Sequence, residues 1–121
     1  YFLHSLVSHA DPARVSWHFY SCRAQEDEWT QRLRTHAAQW RVVEGQSAEQ
    51  LAEQIRADGI DVLVDLAGHT ALSGLAAFAW RPAPLQLSWL GYFATTGLEE
   101  VDAVLADAVS VPDGERDAFV E

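Results

Sequence analysis

The feature that most constrains this chain is the alternation of helical and strand periodicity around Ile60-Asp61-Val62-Leu63-Val64-Asp65-Leu66. That run is mostly apolar and rich in β-branched residues, which reads as a strand of a parallel sheet. Just upstream, Ser47 and Gln50 have the spacing of a capping box. Ala48, Leu51, Ala52 and Ile55 then form one helical stripe, and Gly59 sits where a left-handed C-terminal cap belongs. Downstream, the pattern predicts a short helix over Ser73 to Trp80, ended by Pro82 and Pro84. A strand over Leu85 to Leu90, a loop over Gly91 to Gly97 and a strand over Val101 to Leu105 follow. Strands alternating with helices through short connections predict an α/β, Rossmann-like fold, a parallel sheet with helices on both faces.

The first part of the chain continues this rhythm. Tyr1, Phe2, Leu3, Leu6 and Val7 share a helical face that Asp11-Pro12 closes, and Val15 to Tyr20 reads as a strand. Glu26 to Trp40 has helical spacing, with Trp29, Leu33, Ala37 and Trp40 on one stripe. Its acidic first turn suits the positive end of a helix dipole. Arg41 to Val43 is a short strand, and Pro112 opens a last helix. With 121 residues, 49% of them hydrophobic, residues 1–121 are expected to form a single Rossmann-like domain. The absence of an initiating Met and of a terminating signal reads as a piece of a longer protein.

Composition removes several function classes. A net charge of -10 repels phosphate backbones, so no nucleic-acid partner is expected, although a local donor cluster can still hold a sugar nucleotide. No apolar run is long enough for a membrane span, so no membrane partner is expected. The single Cys22 has no internal disulfide partner, which fits a reduced, cytoplasmic setting. His4, His9, His18 and His36 lack metal-ligand spacing, so no metal site is expected. Neither G-x-G-x-x-G nor a P-loop is present.

In a parallel α/β sheet, ligands bind beyond the carboxyl ends of the strands. That rule selects two loops, Asp65 to Ser73 and Gly91 to Gly97. In the first, His69 is the residue type suited to proton transfer near neutral pH. Asp65 either orients His69 or satisfies backbone amides. Gly68 permits a close backbone approach, and Thr70 can cap the next helix while presenting a hydroxyl. In the second, Gly91, Tyr92, Thr95, Thr96 and Gly97 can offer backbone N–H groups and hydroxyls to a phosphate or sugar, or simply form a turn. Trp80 and Trp89 flank these loops. Arg81 is either a partner for an anionic ligand or a capping residue.

Three strings carry a resemblance: Asp58 to Thr70 (DGIDVLVDLAGHT), Phe78 to Gln86 (FAWRPAPLQ), and Trp89-Leu90-Gly91-Tyr92 with Thr95-Thr96-Gly97. In these strings the chain resembles the O-linked N-acetylglucosamine transferase / SPINDLY family, with Val101-Asp102 and Asp107 fitting its continuation. The resemblance implies one half of a GT-B fold, in which two Rossmann-like domains face each other across a cleft, usually preceded by tetratricopeptide repeats. It implies transfer of a sugar from a nucleotide-sugar donor to Ser or Thr hydroxyls of an acceptor protein, without metal or cofactor. Most nucleotide contacts would come from a second catalytic domain of the same chain. By position, the resemblance places both loops on the acceptor and sugar side of the cleft, and His69, held near Asp65, is the candidate catalytic residue there. Gly68, Thr70, Gly91, Tyr92, Thr95, Thr96 and Gly97 would bind substrate.

Two departures stand out. Leu72-Ser73-Gly74 occupies the place of a Gly-Asn-Arg-like triplet, and Phe93-Ala94 replaces a Pro-Gly or Pro-Asn pair. The first favours one alternative, a catalytically weakened binding or regulatory module on the same fold; a second alternative, another Rossmann-like nucleotide-dependent enzyme, would need a glycine fingerprint upstream of Tyr1.

Overall fold

The computed structural model describes residues 2–89 and 91–121, so the expectations for Tyr1 and Leu90 lie outside the described residues. The chain divides into two compact units, Tyr1–Gly45 and Gln46–Glu121.

In the first unit, helix α1 (Phe2–His9), strand β1 (His18–Ser21), helix α2 (Glu28–Arg34) and strand β2 (Gln39–Val42) follow in order. The strands are parallel, with His18 opposite Gln39. Asp27 caps α2 by accepting from the Thr30 N–H at 2.7 Å. The helix ends at Arg34, with Thr35 as its C-cap. Trp40 therefore lies on β2 and not on the helical stripe expected for it, where its ring stacks on Phe19 at 5.2 Å. Pairing is what overrides the helical spacing: the Ala38 N–H donates to the Trp17 carbonyl at 2.8 Å, which draws the segment into register with β1.

The second unit runs through helix α3 (Ala48–Ala57), strand β3 (Val62–Asp65), a 3₁₀ helix (Leu75–Trp80), strand β4 (Leu85–Trp89), strand β5 (Ala103–Leu105) and a second 3₁₀ helix (Asp113–Ala118). The sheet order is β3-β4-β5 and both pairings are parallel, with Asp65 opposite Ser88 and Trp89 opposite Leu105. The capping box forms as expected: Gln50 N–H donates to the Ser47 hydroxyl, and the Ser47 N–H donates to Gln50 Oε1. Leu51, Ala52 and Ile55 on α3 are buried, and so are Leu75, Ala77 and Phe78 on the 3₁₀ helix that α3 packs against. Burial of a side chain such as Ile55 contributes about 1.5–3 kcal/mol.

Arg81 holds the sheet together. It closes the first 3₁₀ helix at φ 44, pairs with Asp102 at 2.7 Å and donates to the Glu100 carbonyl at 2.8 Å. Asp102 in turn accepts from the Gln86 N–H at 2.8 Å. The Arg81 hydrogen bond, helped by that N–H, holds the Asp102 carboxyl below the usual carboxylate range. The fully buried Gln86 donates from Nε2 to the Phe78 and Glu100 carbonyls. The Arg81-to-Gln86 string thus ties β4 to the segment entering β5, and Arg81 is a structural fastener.

Candidate functional site

Both candidate loops leave the carboxyl ends of neighbouring strands, the first after β3 and the second after β4. Asp65, the last residue of β3, is 6% exposed. Its carboxylate accepts from the Gly68 N–H at 2.6 Å and from the Ala67 N–H at 3.4 Å. Of the two readings open for Asp65, the structure shows the backbone one, a turn closed by a buried carboxylate. The partner of His69 is instead Thr96: its Nε2 lies 2.7 Å from the Thr96 carbonyl oxygen. A carbonyl only accepts, so Nε2–H is the donor in this contact, and the Nε2–H tautomer has its lone pair on Nδ1.

Two glycines set the fit between the loops. Gly68 has φ 54, and a Cβ there would meet the Tyr92 ring at 2.1 Å. What approaches its backbone is the Tyr92 ring, which also stands edge-on to His69 with centroids 5.6 Å apart. A Cβ on Gly91 would lie 1.6 Å from the Leu66 carbonyl oxygen. The two loops are therefore packed backbone to backbone, and only glycine fits the second position.

Thr70 is exposed; its carbonyl accepts from the Ser73 N–H, and the first 3₁₀ helix has no side-chain cap. Thr70 therefore does not act as the expected cap. Thr96 is 1% exposed, and its N–H donates to Glu121 Oε1 at 2.6 Å. The Thr95 hydroxyl donates to Glu121 Oε2 at 2.6 Å and accepts from the Gly97 and Val120 N–H groups. Donors expected to face a ligand are thus held by a carboxylate of the chain itself. Burial raises the Glu121 pKa, but the hydrogen bonds from Thr95 and Thr96 outweigh it and hold the group below the usual Glu range. Gly97, at φ 69, turns the exposed end of the loop.

Beyond the ends of β4 and β5 lies a cavity of about 500 Å³. Trp89, Gly91, Tyr92 and Phe93 line it from the β4 side, and Leu105, Asp107, Ser110 and Phe119 are among the residues lining the remainder. Tyr92 joins the two parts of the site, since it lines this cavity and abuts His69. Trp80, by contrast, is 46% exposed and lines no part of it. The Asp107 carboxylate accepts from the Val109 and Ser110 N–H groups, and the Ser110 bonds hold it below its usual range. Sequence reasoning missed Glu121, Ser110 and Phe119. Each reaches the site only through the fold, and the Glu121 contacts span 25 and 26 positions. Among the described residues, no group of three His, Cys, Asp or Glu side chains is placed to hold a metal ion. Nor, among the described residues, is any helix long and apolar enough to cross a membrane.

Parallel strands alternating with helices, with the histidine loop and the cavity at the strands' carboxyl ends, have the architecture of one Rossmann-like half of a GT-B fold. Residues 2–121 match glycosyl transferase family 41, and the chain belongs to that family. It is similar, at 35% identity over its whole length, to the probable UDP-N-acetylglucosamine--peptide N-acetylglucosaminyltransferase SPINDLY of Arabidopsis thaliana, of which it covers 14%. A UDP-N-acetylglucosamine--peptide N-acetylglucosaminyltransferase of Caenorhabditis elegans is 43% identical over 58% of this chain and 6% of its own length. Among solved structures, a mutant of the Thermobaculum terrenum O-GlcNAc transferase superposes with a TM-score of 0.94 at 37% identity. That match covers all of this chain and 23% of the solved one. The chain thus spans about one seventh of the Arabidopsis relative it matches.

Proposed function

We propose that, within its full-length protein, this domain forms the acceptor-side half of a protein O-glycosyltransferase that moves a sugar from a nucleotide-sugar donor to Ser or Thr hydroxyls. The relatives' names supply the donor and acceptor classes, and the 2.7 Å contact between His69 Nε2 and the Thr96 carbonyl carries the reading for this chain. With Nε2–H engaged there, Nδ1 is the atom that can take the proton of an acceptor hydroxyl as its oxygen attacks the sugar carbon, while the bond from that carbon to the phosphate oxygen breaks and the nucleotide leaves with the electron pair. The resulting imidazolium keeps its Nε2–H on the Thr96 carbonyl. Tyr92 and Phe93 supply the aromatic wall for the sugar or acceptor chain, and Gly91 sets their position.

In this reading the donor is a co-substrate, and neither metal nor cofactor takes part. A second catalytic domain of the same chain binds most of the nucleotide, tetratricopeptide repeats precede the domain, and the protein works in the cytoplasm without nucleic-acid or membrane partners. Full-length His69→Ala protein is expected to lose sugar transfer by on the order of 10²–10⁴-fold, the usual contribution of a general base. Transfer at the parental rate would remove His69 from the chemistry.

A second reading, a weakened binding or regulatory module, draws on the Thr95 and Thr96 donors being held by Glu121. It predicts that the full-length protein binds sugar nucleotide but neither transfers nor hydrolyses it.

A further inference from the structure

Between His69 and Glu121 runs a continuous set of hydrogen bonds that passes through one peptide plane. The Thr96 carbonyl faces His69 Nε2 at 2.7 Å. The N–H of the same peptide group, that of Gly97, donates to Thr95 Oγ1 at 3.1 Å. Thr95 Oγ1 donates its only proton to Glu121 Oε2 at 2.6 Å, and Val120 N–H fills its second acceptor position at 3.2 Å. Glu121 Oε1 takes the Thr96 N–H at 2.6 Å. Each group in this set has its donors and acceptors matched, and each bond polarises the next in the same sense.

We infer that Glu121 is a positioning residue for His69, acting through Thr95 and the Thr96–Gly97 peptide. The carboxylate orients the Thr95 hydroxyl, the hydroxyl fixes the peptide N–H, and the peptide's carbonyl is thereby aimed at Nε2. The set selects the Nε2–H tautomer and leaves Nδ1 as the basic atom. It contains no group that competes for Nδ1. Without Glu121, the Thr95 proton is free to seek the Thr96 carbonyl or water, the peptide can rotate, and either ring nitrogen can carry the hydrogen. The catalytic consequence rests on the proposed role of His69; the tautomer assignment does not.

The test uses the full-length protein with ¹⁵N-labelled histidine, the His69 ring signals being identified by their loss in His69→Ala. In the parent, neutral His69 is expected to show a protonated Nε2 and an unprotonated Nδ1. Glu121→Ala and the near-isosteric Thr95→Val are expected to give mixed tautomers, whereas Thr95→Ser keeps the parental signature. Glu121→Ala is further expected to lower kcat for sugar transfer by about tenfold, the scale of a small misplacement of a reacting group, with little change in KM. In the His69→Ala background it should lower kcat no further. Parental tautomers in both Glu121→Ala and Thr95→Val would overturn the inference, as would an equal loss of kcat with and without His69. If His69→Ala alone leaves transfer untouched, the catalytic reading fails, and the ring signals still decide the positioning.

Discussion

Gly91→Ala tests whether the contact between the two loops sets the site. The added Cβ would lie 1.6 Å from the Leu66 carbonyl oxygen, and real Cβ contacts essentially never fall below 3.0 Å. Relief therefore requires a displacement of about 1.4 Å between two backbones, a shift that no side-chain rotamer can absorb. Overpacking of this kind costs about 1–3 kcal/mol, which a domain can survive. A misplacement of about 1 Å at a reacting centre costs on the order of 10²-fold in rate. Because Tyr92 and Thr96 ride on the displaced loop, His69 loses its edge-on ring and its carbonyl together. In the full-length protein, Gly91→Ala is thus expected to cut kcat/KM for sugar transfer by about 10²-fold with a moderate fall in Tm, read by transfer assay and thermal melting. Parental transfer with parental Tm would show that the loops are not locked at this point, and the geometric reasoning for His69 would fall with it.

Other outcomes follow from the same packing. Ile55→Ala, at 2% exposure on the stripe of α3, is expected to lower stability by about 2–5 kcal/mol in denaturant unfolding, without directly touching the site. Leu72 is 61% exposed and holds φ 63, so Leu72→Gly exchanges a left-handed cost of about 1–2 kcal/mol for the smaller entropy cost of glycine. A gain of about 0.5–1 kcal/mol in equilibrium unfolding is expected. The folded-state pKa of Asp102 is depressed, chiefly by Arg81, so its contribution is complete above the ordinary carboxylate range and is lost as pH falls through the lower folded value. Asp102→Asn should therefore lower Tm near neutrality and flatten its fall in acid; an unchanged acid limb would remove this pair from the pH response.

Much of the site's location was legible before any coordinate, because it depends on short-range rules. Capping chemistry at Ser47 and Gln50 and the β-branched run before Asp65 place the strands, and strand order places the loops. Trp40 shows where such rules stop. Its helical spacing was real, but pairing with β1 outweighed it, since an apolar residue at the end of a stripe satisfies either periodicity. Asp65 shows the same limit for chemistry: being four positions from His69 could not tell whether its carboxylate would meet the ring or the amides of its own turn.

By itself, then, the sequence determined most of the element types, the parallel α/β class, the two loops at the strand ends and the family strings that identify the chain. Those properties rest on periodicity, caps and turns, which act within a few residues. The tertiary structure alone decided the partners: Thr96 and not Asp65 for His69, Asp102 and not a ligand for Arg81, Tyr92 against Gly68, and Glu121 on the Thr95–Thr96 donors. Apart from Tyr92, these partners are polar contacts between residues far apart in the chain. Hydrogen-bond geometry leaves no periodic mark on a sequence, so which donor meets which acceptor is fixed only when the backbone brings them within reach.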